Sequence, residues 1–441
     1  MSARVIAIAL LALRAAIRSR MVVVLLLLLA GAVLGLPRVL RGDGTPAGDF
    51  AILLETTQSA CFGLLALTSL WAGCAALAAE RDSRLLDLTR VKPVHGLELW
   101  LGKWLGLLVL QALALLAVAA GMSLQVAWHP RARNGAFAPF LVCRQVARPE
   151  LPSPADEARR ECERALAEGE VPPDMTTRQF YREQLRLAQN RYEAINPGET
   201  RIWRISMPVP LRPGDPLTAR FKFDVEWGAR GDVRGVCRLR AAGSSDWLAE
   251  SPIEDFTMNT LAVPLASAAP GGCERFELAF EHTGPAGSAA LLINPRRNVA
   301  VLAPWGSFAG NLARAMCIQW AWLALLAALG VTLGCAFSFP VAAFCAVALL
   351  MFARVSMALA RDPPVAEPTD TLWARGSRML VVGVIAALEP VMAQEPFTRL
   401  ASGERIDWKE SAQALAVAGL AGPAILAVIG ACALRRREAL C

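Results

Sequence analysis

Long uncharged apolar runs alternate with short charged segments along most of this chain. A membrane-spanning helix needs about 20 consecutive, mainly apolar residues, and six stretches approach or exceed that length. They are residues 21–36, 56–79 and 104–128, two consecutive helices within 314–354, and residues 411–434. Ser338 and Pro340 mark the predicted turn between the two helices of 314–354. The pattern therefore predicts an α-helical polytopic membrane protein with six spans.

One further apolar run, residues 379–388, lies between Arg378 and Glu389. It is too short to cross a bilayer as a helix. We therefore expect an interfacial or re-entrant helix near 376–394, in preference to a seventh span.

Composition and charge support the membrane class and orient the spans. Of the 441 residues, 55% are hydrophobic and 19% are charged, which is more apolar than an ordinary soluble chain. Lys and Arg concentrate in cytoplasmic segments. Arg4, Arg14, Arg18 and Arg20 precede the first span, and the basic run 435–437 follows the last. Six spans place both termini in the cytoplasm.

The first 40 residues have two interpretations. Arg14 and Arg18 share one face of an amphipathic helix, which is typical of an interfacial helix that leads into an uncleaved span. Alternatively, the basic start, the apolar middle and the small residues Ala30 and Ala32 form a cleaved signal peptide. We prefer the interfacial helix.

Residues 129–311 differ in composition from the spans and, by this topology, lie outside the cytoplasm. From Arg131 to Ala300 there are 23 Lys or Arg and 22 Asp or Glu. This near neutrality argues against a nucleic-acid partner. The segment predicts an extracytoplasmic α+β domain with a helical hairpin at 153–196 and an antiparallel β-sandwich at 199–303.

Two local patterns carry that prediction. In the hairpin, Ser153 is the expected N-cap, Pro154 the first helical residue and Asp156 the partner in a capping box. Its second arm has a coiled-coil-like seam made of Tyr181, Leu185, Ala188, Tyr192 and Ile195. Two helices packed on each other are preferred to a stalk or a partner-binding arm.

The strand prediction rests on alternating apolar residues separated by Gly and Pro clusters. One face holds Phe221, Phe223, Val225 and Trp227, and another holds Phe276, Leu278 and Phe280. A sandwich of this kind binds ligands in some proteins and is a scaffold in others, and the sequence identifies no ligand.

Candidate chemistry is sparse. The chain has no phosphate-binding loop and no nucleophile or zinc motif, so we expect no catalytic, cofactor or metal site on it. Residues 129–311 hold Cys143, Cys162, Cys237 and Cys273, which allow three disulfide connectivities. We prefer Cys237 with Cys273, since both lie in the strand region. Glu55 and Arg354 fall at similar depth near the outer ends of spans two and five, which makes them a candidate ion pair; interfacial snorkelling is the alternative.

By the predicted topology, the loop at residues 79–99 is the only sizeable cytoplasmic segment between spans. It lies within "AAERDSRLLDLTRVKPVHGLELWLGKWLG", residues 78–106, where residues 80–89 predict a short helix that Pro93 terminates. Gly102 and Gly106 form a G-x-x-x-G that permits close helix packing. The balanced charges suit docking on a protein surface, although a solvated loop is the simpler interpretation.

These residues resemble the ABC-2-type exporter permeases. In that family an acid and a short helix follow span two, and a Lys-Pro and a Gly-Lys precede span three. The start "LALRAAIRSR" is similar to the family's connector helix, and the segment 389–438 is similar to its last span and Arg-Glu terminus. The resemblance covers the six spans and their connecting segments, but it does not cover the insert at 129–311.

The resemblance implies a non-enzymatic membrane subunit of an ATP-driven exporter in the bacterial cytoplasmic membrane. ATP and Mg²⁺ would bind a separate ABC ATPase subunit, and the permease would pair with itself or a paralogue. The coupling residues would be Glu80, Arg81, Asp82, Leu85, Leu86, Lys92 and Pro93. The alternative function is a membrane-anchored scaffold or sensor that presents the β-sandwich to an extracytoplasmic partner without an ATPase.

Overall fold

The structure is a computed structural model, and it divides into two compact units. One is a helical unit and the other, Cys143–Gly306, is a β unit inserted into it in sequence. The residues described are 2–40, 46–82, 95–172, 175–189, 193–224, 231–257, 260–265, 274–285, 288–360 and 396–438. Each unit is described separately below.

Fourteen α-helices occur within these described residues. The first six are α1 (Ser2–Arg18), α2 (Arg20–Val39), α3 (Pro46–Ala51), α4 (Thr57–Asp82), α5 (Gly96–Trp128) and α6 (Pro130–Arg133). The β unit contributes α7 (Pro154–Glu168), α8 (Thr177–Gln189) and α9 (Pro295–Asn298). The helical unit ends with α10 (Phe308–Ala336), α11 (Phe339–Ala360), α12 (Pro396–Ala401), α13 (Trp408–Ala414) and α14 (Gly422–Glu438).

Within the described residues, five helices are long and apolar enough to cross a membrane. They are Arg20–Val39, Gly48–Ala78, Gly96–Trp128, Phe308–Ala336 and Trp408–Arg435. The second contains the π-helical segment Ile52–Thr56, and the fifth contains Leu415–Ala421. These helices agree with a membrane protein.

The predicted spans differ from these helices mainly at their ends. The second begins before Thr56 and so includes Asp49, and the third begins at Gly96 rather than Trp104. The predicted turn at Ser338 separates α10 from α11, whose side chains are described only for Phe339–Phe352, fewer residues than a span needs. The sixth span thus stays a prediction, and the predicted helix near 376–394 lies outside the described residues.

Small residues dominate the contact between α4 and α10. A methyl group added at Gly330 would lie 2.5 Å from the carbonyl oxygen of Leu70, and one at Gly73 would lie 2.8 Å from that of Ala327. One at Gly334 would lie 2.7 Å from the carbonyl oxygen of Cys74. The backbones therefore touch, as expected where lipid rather than water surrounds the helices.

An aromatic and polar cluster lies near α3 and the beginning of α10. The Phe50 ring lies 5.4 Å from that of Phe137 and 6.2 Å from that of Phe308. The buried Asn311 side chain donates to the carbonyl of Glu404 at 2.8 Å and accepts from the backbone N–H of Ile406 at 2.8 Å. Phe50 is fully buried in this cluster. This packing explains why the second apolar helix begins before the uncharged stretch that the sequence predicted.

Ten strands occur in the described part of the β unit. They are β1 (Val142–Ala147), β2 (Glu193–Ile195), β3 (Thr200–Ser206), β4 (Leu217–Lys222), β5 (Asp232–Ala241), β6 (Ala249–Phe256), β7 (Thr260–Leu265), β8 (Arg275–His282), β9 (Leu291–Ile293) and β10 (Val299–Ser307). Two four-stranded sheets have the orders β1-β10-β4-β7 and β3-β8-β5-β6, and β2 pairs with β9. The antiparallel pairs include β3 with β8 and β4 with β7.

Large aromatic side chains fill the space between the two sheets. Phe221, Phe276 and Phe280 are fully buried, and the Phe221 and Phe280 rings, from opposite sheets, lie 5.8 Å apart. The predicted alternation is thus seen in β8 and at Phe221 and Phe223, whereas Val225 and Trp227 lie outside the described residues. The sandwich also includes β1, which precedes the hairpin in sequence and was not predicted.

The helical hairpin is shorter than predicted. Pro154 begins α7, but the Ser153 side chain makes no capping hydrogen bond, so the predicted capping box with Asp156 is wrong. Helix α8 ends at Gln189, and Ile195 lies in β2 rather than on a helical seam. The backbone hydrogen bonds of Ile195 are made with β9 in the sheet. The spacing of apolar residues that predicted a helix gave no sign of this strand pairing.

Candidate functional site

The predicted coupling segment lies between the end of α4 and the beginning of α5. Glu80, Arg81 and Asp82 are the last residues of α4, and their side chains lie outside the described residues. Leu85, Leu86, Lys92 and Pro93 also lie outside them. The described part of the site is therefore the helical framework around this segment, which we call the connector base and define as Gly96, Trp100, Gly102 and Gly106 of α5.

The N-terminus of helix α5 is capped by a hydrogen bond. The backbone N–H of His95, the N-cap residue, donates to Glu98 Oε2 at 3.2 Å. A carboxylate in the first turn also interacts favourably with the helix dipole. Glu98 is buried, with 3% of its surface exposed. The predicted coupling segment is therefore followed directly by a helix whose first turn is capped and buried.

The last helix of the unit packs directly on the connector base. A methyl group at Gly96 would lie 3.4 Å from Cδ1 of Leu434, and one at Gly430 would lie 2.7 Å from Cδ1 of Trp100. Trp100 is fully buried. The backbone of α14 therefore packs directly against the beginning of α5.

A short hydrogen-bond relay joins three helices at Trp100. Trp100 Nε1 donates to Thr332 Oγ1 of α10 at 3.1 Å. Thr332 Oγ1 in turn donates to the carbonyl oxygen of Leu426 in α14 at 3.0 Å. Directional bonds of this kind add to packing between membrane helices, and this relay fixes α5, α10 and α14 relative to one another.

Helix α1 covers the two predicted packing glycines. A methyl group at Gly102 would lie 2.5 Å from Cγ2 of Ile8, and one at Gly106 would lie 2.7 Å from the carbonyl oxygen of Ala9. Residue numbers increase in the same direction along both helices, so α1 runs parallel to α5 at this contact. Its other face, which includes Leu10 and Leu11, is the one free to meet lipid.

Two further indole groups join α5 to α10. Trp104 Nε1 donates to the carbonyl oxygen of Ala324 at 2.9 Å, and Trp320 Nε1 donates to that of Leu108 at 3.2 Å. The donors thus come from both helices. With the Trp100 relay, these bonds join α5 to α10 at several points along the two helices.

Glu55, the proposed partner of Arg354, lies in the π-helical segment before α4. Its Oε1 accepts a hydrogen bond from Thr398 Oγ1 of α12 at 2.8 Å. Glu55 and Thr398 line a cavity of about 640 Å³ that also includes Gln319. The Arg354 side chain lies outside the described residues, so the ion pair stays a prediction.

Cys237 lies on β5 opposite Phe280 of β8 and is fully buried in the sandwich core. Burial raises the pKa of its thiol to about 12. Cys273, its predicted disulfide partner, lies outside the described residues. The thiol environment of Cys237 is apolar and makes it a weak nucleophile.

Sequence reasoning identified Gly102 and Gly106 of the connector base, and it missed Gly96, Trp100 and the residues that contact them. Trp100, Thr332 and Gly430 carried no motif and were not predicted to meet. Gly330 and Gly334 form a G-x-x-x-G of the same type as Gly102 and Gly106, so that spacing was an available signal.

Comparisons with protein families, with curated proteins and with solved structures found no match to this chain. Among the described residues, no group of three or more His, Cys, Asp or Glu could hold a metal ion. The helical framework around the connector base is therefore the candidate site that the described residues offer.

Proposed function

We propose that the chain is the membrane-spanning permease subunit of an ATP-driven ABC exporter, as the sequence resemblance implies. A separate ATPase subunit binds ATP and Mg²⁺ and docks on the cytoplasmic segment that includes Glu80, Asp82 and Leu86. The permease acts as a pair, either with a second copy or with a paralogue. Its location is the bacterial cytoplasmic membrane.

The connector base is the observation that supports this proposal. An ATPase that pushes on a cytoplasmic loop does work only if the loop ends in helices that move together. Helix α5 begins at Gly96 in contact with Leu434 of α14 and continues past Trp100, which is hydrogen-bonded to α10. A displacement of the loop would therefore reach several helices within two turns.

The absence of an internal energy source directs the proposal to an external one. The chain contains no phosphate-binding loop. Gln58 and Gln319 are a buried pair of uncharged amides in the helical unit, and their side-chain groups lie 2.6 Å apart. Amides do not release protons, and such a pair is not a proton relay.

Purification of the full chain tests the proposal. We expect an ATPase subunit to copurify with the wild-type chain and to hydrolyse ATP. The double variant Glu80→Lys with Asp82→Lys reverses two charges at the docking segment, and copurification should fall about tenfold or more, since like charges across an interface cost several kcal/mol.

A matched double variant controls for net charge. Glu163→Lys with Glu170→Lys makes the same reversal at two exposed positions of the helical hairpin, and copurification should stay at the wild-type level. If the Glu80 and Asp82 variant retained its ATPase and its turnover, the docking assignment would be wrong.

The scaffold or sensor function is favoured by a different observation. The core of the β unit is made of residues from Ala147 to Ala303, so this unit has its own hydrophobic core and could present a binding surface. If quantitative mass spectrometry found no protein with a phosphate-binding loop in the wild-type purification, and found an extracytoplasmic protein instead, the scaffold function would replace the exporter.

A further inference from the structure

The cavity of about 640 Å³ that Glu55 and Thr398 line lies within the helical unit, among α4 with its preceding π-helical segment, α10, α11 and α12. Its volume falls within the usual range for small-molecule sites, about 300–1,000 Å³. Leu67 and Met351 also line it, and they are 56% and 63% exposed. The cavity therefore opens on the surface of the helical unit, where an apolar chain from a surrounding bilayer can enter.

The lining is polar at one end and apolar along the rest of its length. The polar side chains are Glu55, Ser59, Gln319 and Thr398, and the apolar ones include Phe62, Leu70 and Leu326. Glu55 and Leu70 are 15 residues apart in sequence, which is about 22 Å along a helix. The cavity thus has the shape and polarity of a molecule with a small polar head and one long apolar chain.

The polar end holds a carboxylate. Glu55 lies in the π-helical segment Ile52–Thr56, inside a helix long and apolar enough to cross a membrane. Such segments are frequent at functional sites, and an ionisable group inside a membrane helix is rare and is usually functional. The Thr398 hydroxyl, which donates to Glu55 Oε1 at 2.8 Å, is uncharged and leaves the negative charge in place.

The charge of the lining is of one sign. Among the described residues that line the cavity there is no Lys, Arg or His. Glu55 therefore makes the polar end complementary to a cationic head and unfavourable to an anionic one.

A pair of amides with hydrogen-bonding groups to spare adjoins the carboxylate. Gln58 Nε2 donates to Gln319 Oε1 at 2.6 Å, and the two residues are 0% and 5% exposed. Gln58 Oε1 has no hydrogen-bond partner among the described residues, and Gln319 lines the cavity. Gln58 follows Glu55 by three residues, which is less than one helical turn. A hydroxyl close to the cation suits this pair, because a hydroxyl both donates and accepts.

These groups define the chemistry of the ligand. We propose that this cavity binds a long-chain amino alcohol. Its protonated amine meets Glu55, its neighbouring hydroxyl meets Gln319, and its alkyl chain lies along Phe62 and Leu70. A primary amine is protonated at neutral pH. The inference does not rest on an ATPase partner, because it concerns binding alone.

Native mass spectrometry of the full chain, released from detergent micelles at neutral pH, tests the site by counting ligand adducts at graded concentrations. The probes have alkyl chains of equal length. They are sphinganine, its uncharged N-acetyl derivative, octadecylamine, which lacks the hydroxyls, and stearate, which is an anion. We expect sphinganine to bind about tenfold more tightly than its N-acetyl derivative and about threefold more tightly than octadecylamine. Stearate should bind most weakly.

Paired variants assign the two preferences to residues. Glu55→Gln should remove the preference for sphinganine over its N-acetyl derivative. Glu163→Gln, the same change at an exposed position of the helical hairpin, should leave that preference intact. Gln319→Leu should remove the advantage of sphinganine over octadecylamine and leave octadecylamine binding unchanged.

A further pair of variants tests the location. Gly63 lines the cavity, and nothing lies within 4 Å of a methyl group added there. Gly63→Phe therefore fills the cavity without displacing the protein around it, and it should abolish binding of all the probes. Gly31→Phe is the matched control, because a methyl group added at Gly31 also meets nothing within 4 Å and Gly31 does not line the cavity.

Equal binding of sphinganine and its N-acetyl derivative by the wild-type chain would overturn the proposal. The charge of Glu55 would then be unavailable to a ligand, as in the predicted pair with Arg354. Equal preferences in the Glu55→Gln and Glu163→Gln variants would also overturn it. If Glu55→Gln does not fold, Gly63→Phe decides: sphinganine binding equal to that of Gly31→Phe places the ligand elsewhere and contradicts the site.

Discussion

The two units of this chain are built by opposite packing rules. In the helical unit the closest contacts involve residues without large side chains, such as Gly73 against Gly330, while Leu27, Leu116 and Phe344 are 68%, 64% and 74% exposed. In the β unit the large side chains are inside, and Phe221 and Phe280 meet between the sheets.

Polar groups follow the same division. The β unit has charged pairs on its surface, for example Arg240 with Glu277 across β5 and β8 at 2.5 Å. The helical unit uses indole, amide and hydroxyl donors inside, as in the Trp100 relay. The difference matches two solvents: water drives large apolar groups inward, and lipid leaves shape and hydrogen bonding to hold the helices together.

The largest expected effect is in the β unit. Phe280→Ala removes a fully buried ring that contacts Phe221 and Phe223 at centroid distances of 5.8 and 4.8 Å. The free energy of unfolding of this unit should fall by about 3–5 kcal/mol. Hydrogen exchange of the full chain measures each unit separately, and unchanged exchange in β4 and β8 would contradict the sandwich core.

In the helical unit, enlarging a glycine should have a comparable but smaller effect. Gly330→Leu places atoms where the backbone of α4 lies, and stability should fall by about 3 kcal/mol. Gly31→Leu is the matched control, because nothing lies within 4 Å of a methyl group added there. If both variants melted at the same temperature in detergent, the close contact between α4 and α10 would be wrong.

Alkaline pH should weaken the β unit through Cys237. Its folded pKa is raised from 9.0 to about 12, so the neutral thiol is favoured in the folded state. Stability is complete below pH 9 and falls above it by up to about 1.4 kcal/mol per pH unit. Cys237→Val should remove this component of the slope in hydrogen exchange, and an identical pH dependence in the variant would contradict the buried thiol.

The smallest effect concerns the relay in the helical unit. Thr332→Val keeps the shape of the side chain and removes both bonds of the hydroxyl. Stability should fall by about 0.6–2 kcal/mol. Thr68→Val is a suitable control, because the Thr68 hydroxyl donates only within its own helix, to the carbonyls of Leu64 and Leu65. Equal melting temperatures would indicate that the relay contributes nothing.

The sequence predicted features that follow from a local period. Alternation at Phe276, Leu278 and Phe280 identified a strand whose inner face is buried, and uncharged length identified the long apolar helices. Helix ends were missed because charge was taken as the boundary. Asp49 and Glu98 lie inside helices whose packing or capping accommodates them.

Contacts between distant segments were beyond local patterns. The Trp100 relay joins residues 232 positions apart, and neither residue type signals its partner. The strand β1 was missed since the hairpin separates it in sequence from the rest of the sandwich. The coupling residues Leu85, Leu86, Lys92 and Pro93 lie outside the described residues, and their role stays a prediction.

The central proposal is that an ATPase subunit contacts the segment between α4 and α5. A photo-cross-linking amino acid at position 86 of the full chain tests this contact directly, with the same amino acid at the exposed position Leu420 as a control. The account predicts that position 86 alone forms an adduct with a protein that contains a phosphate-binding loop. Adducts at position 86 without such a protein, or equal yields at both positions, would contradict it.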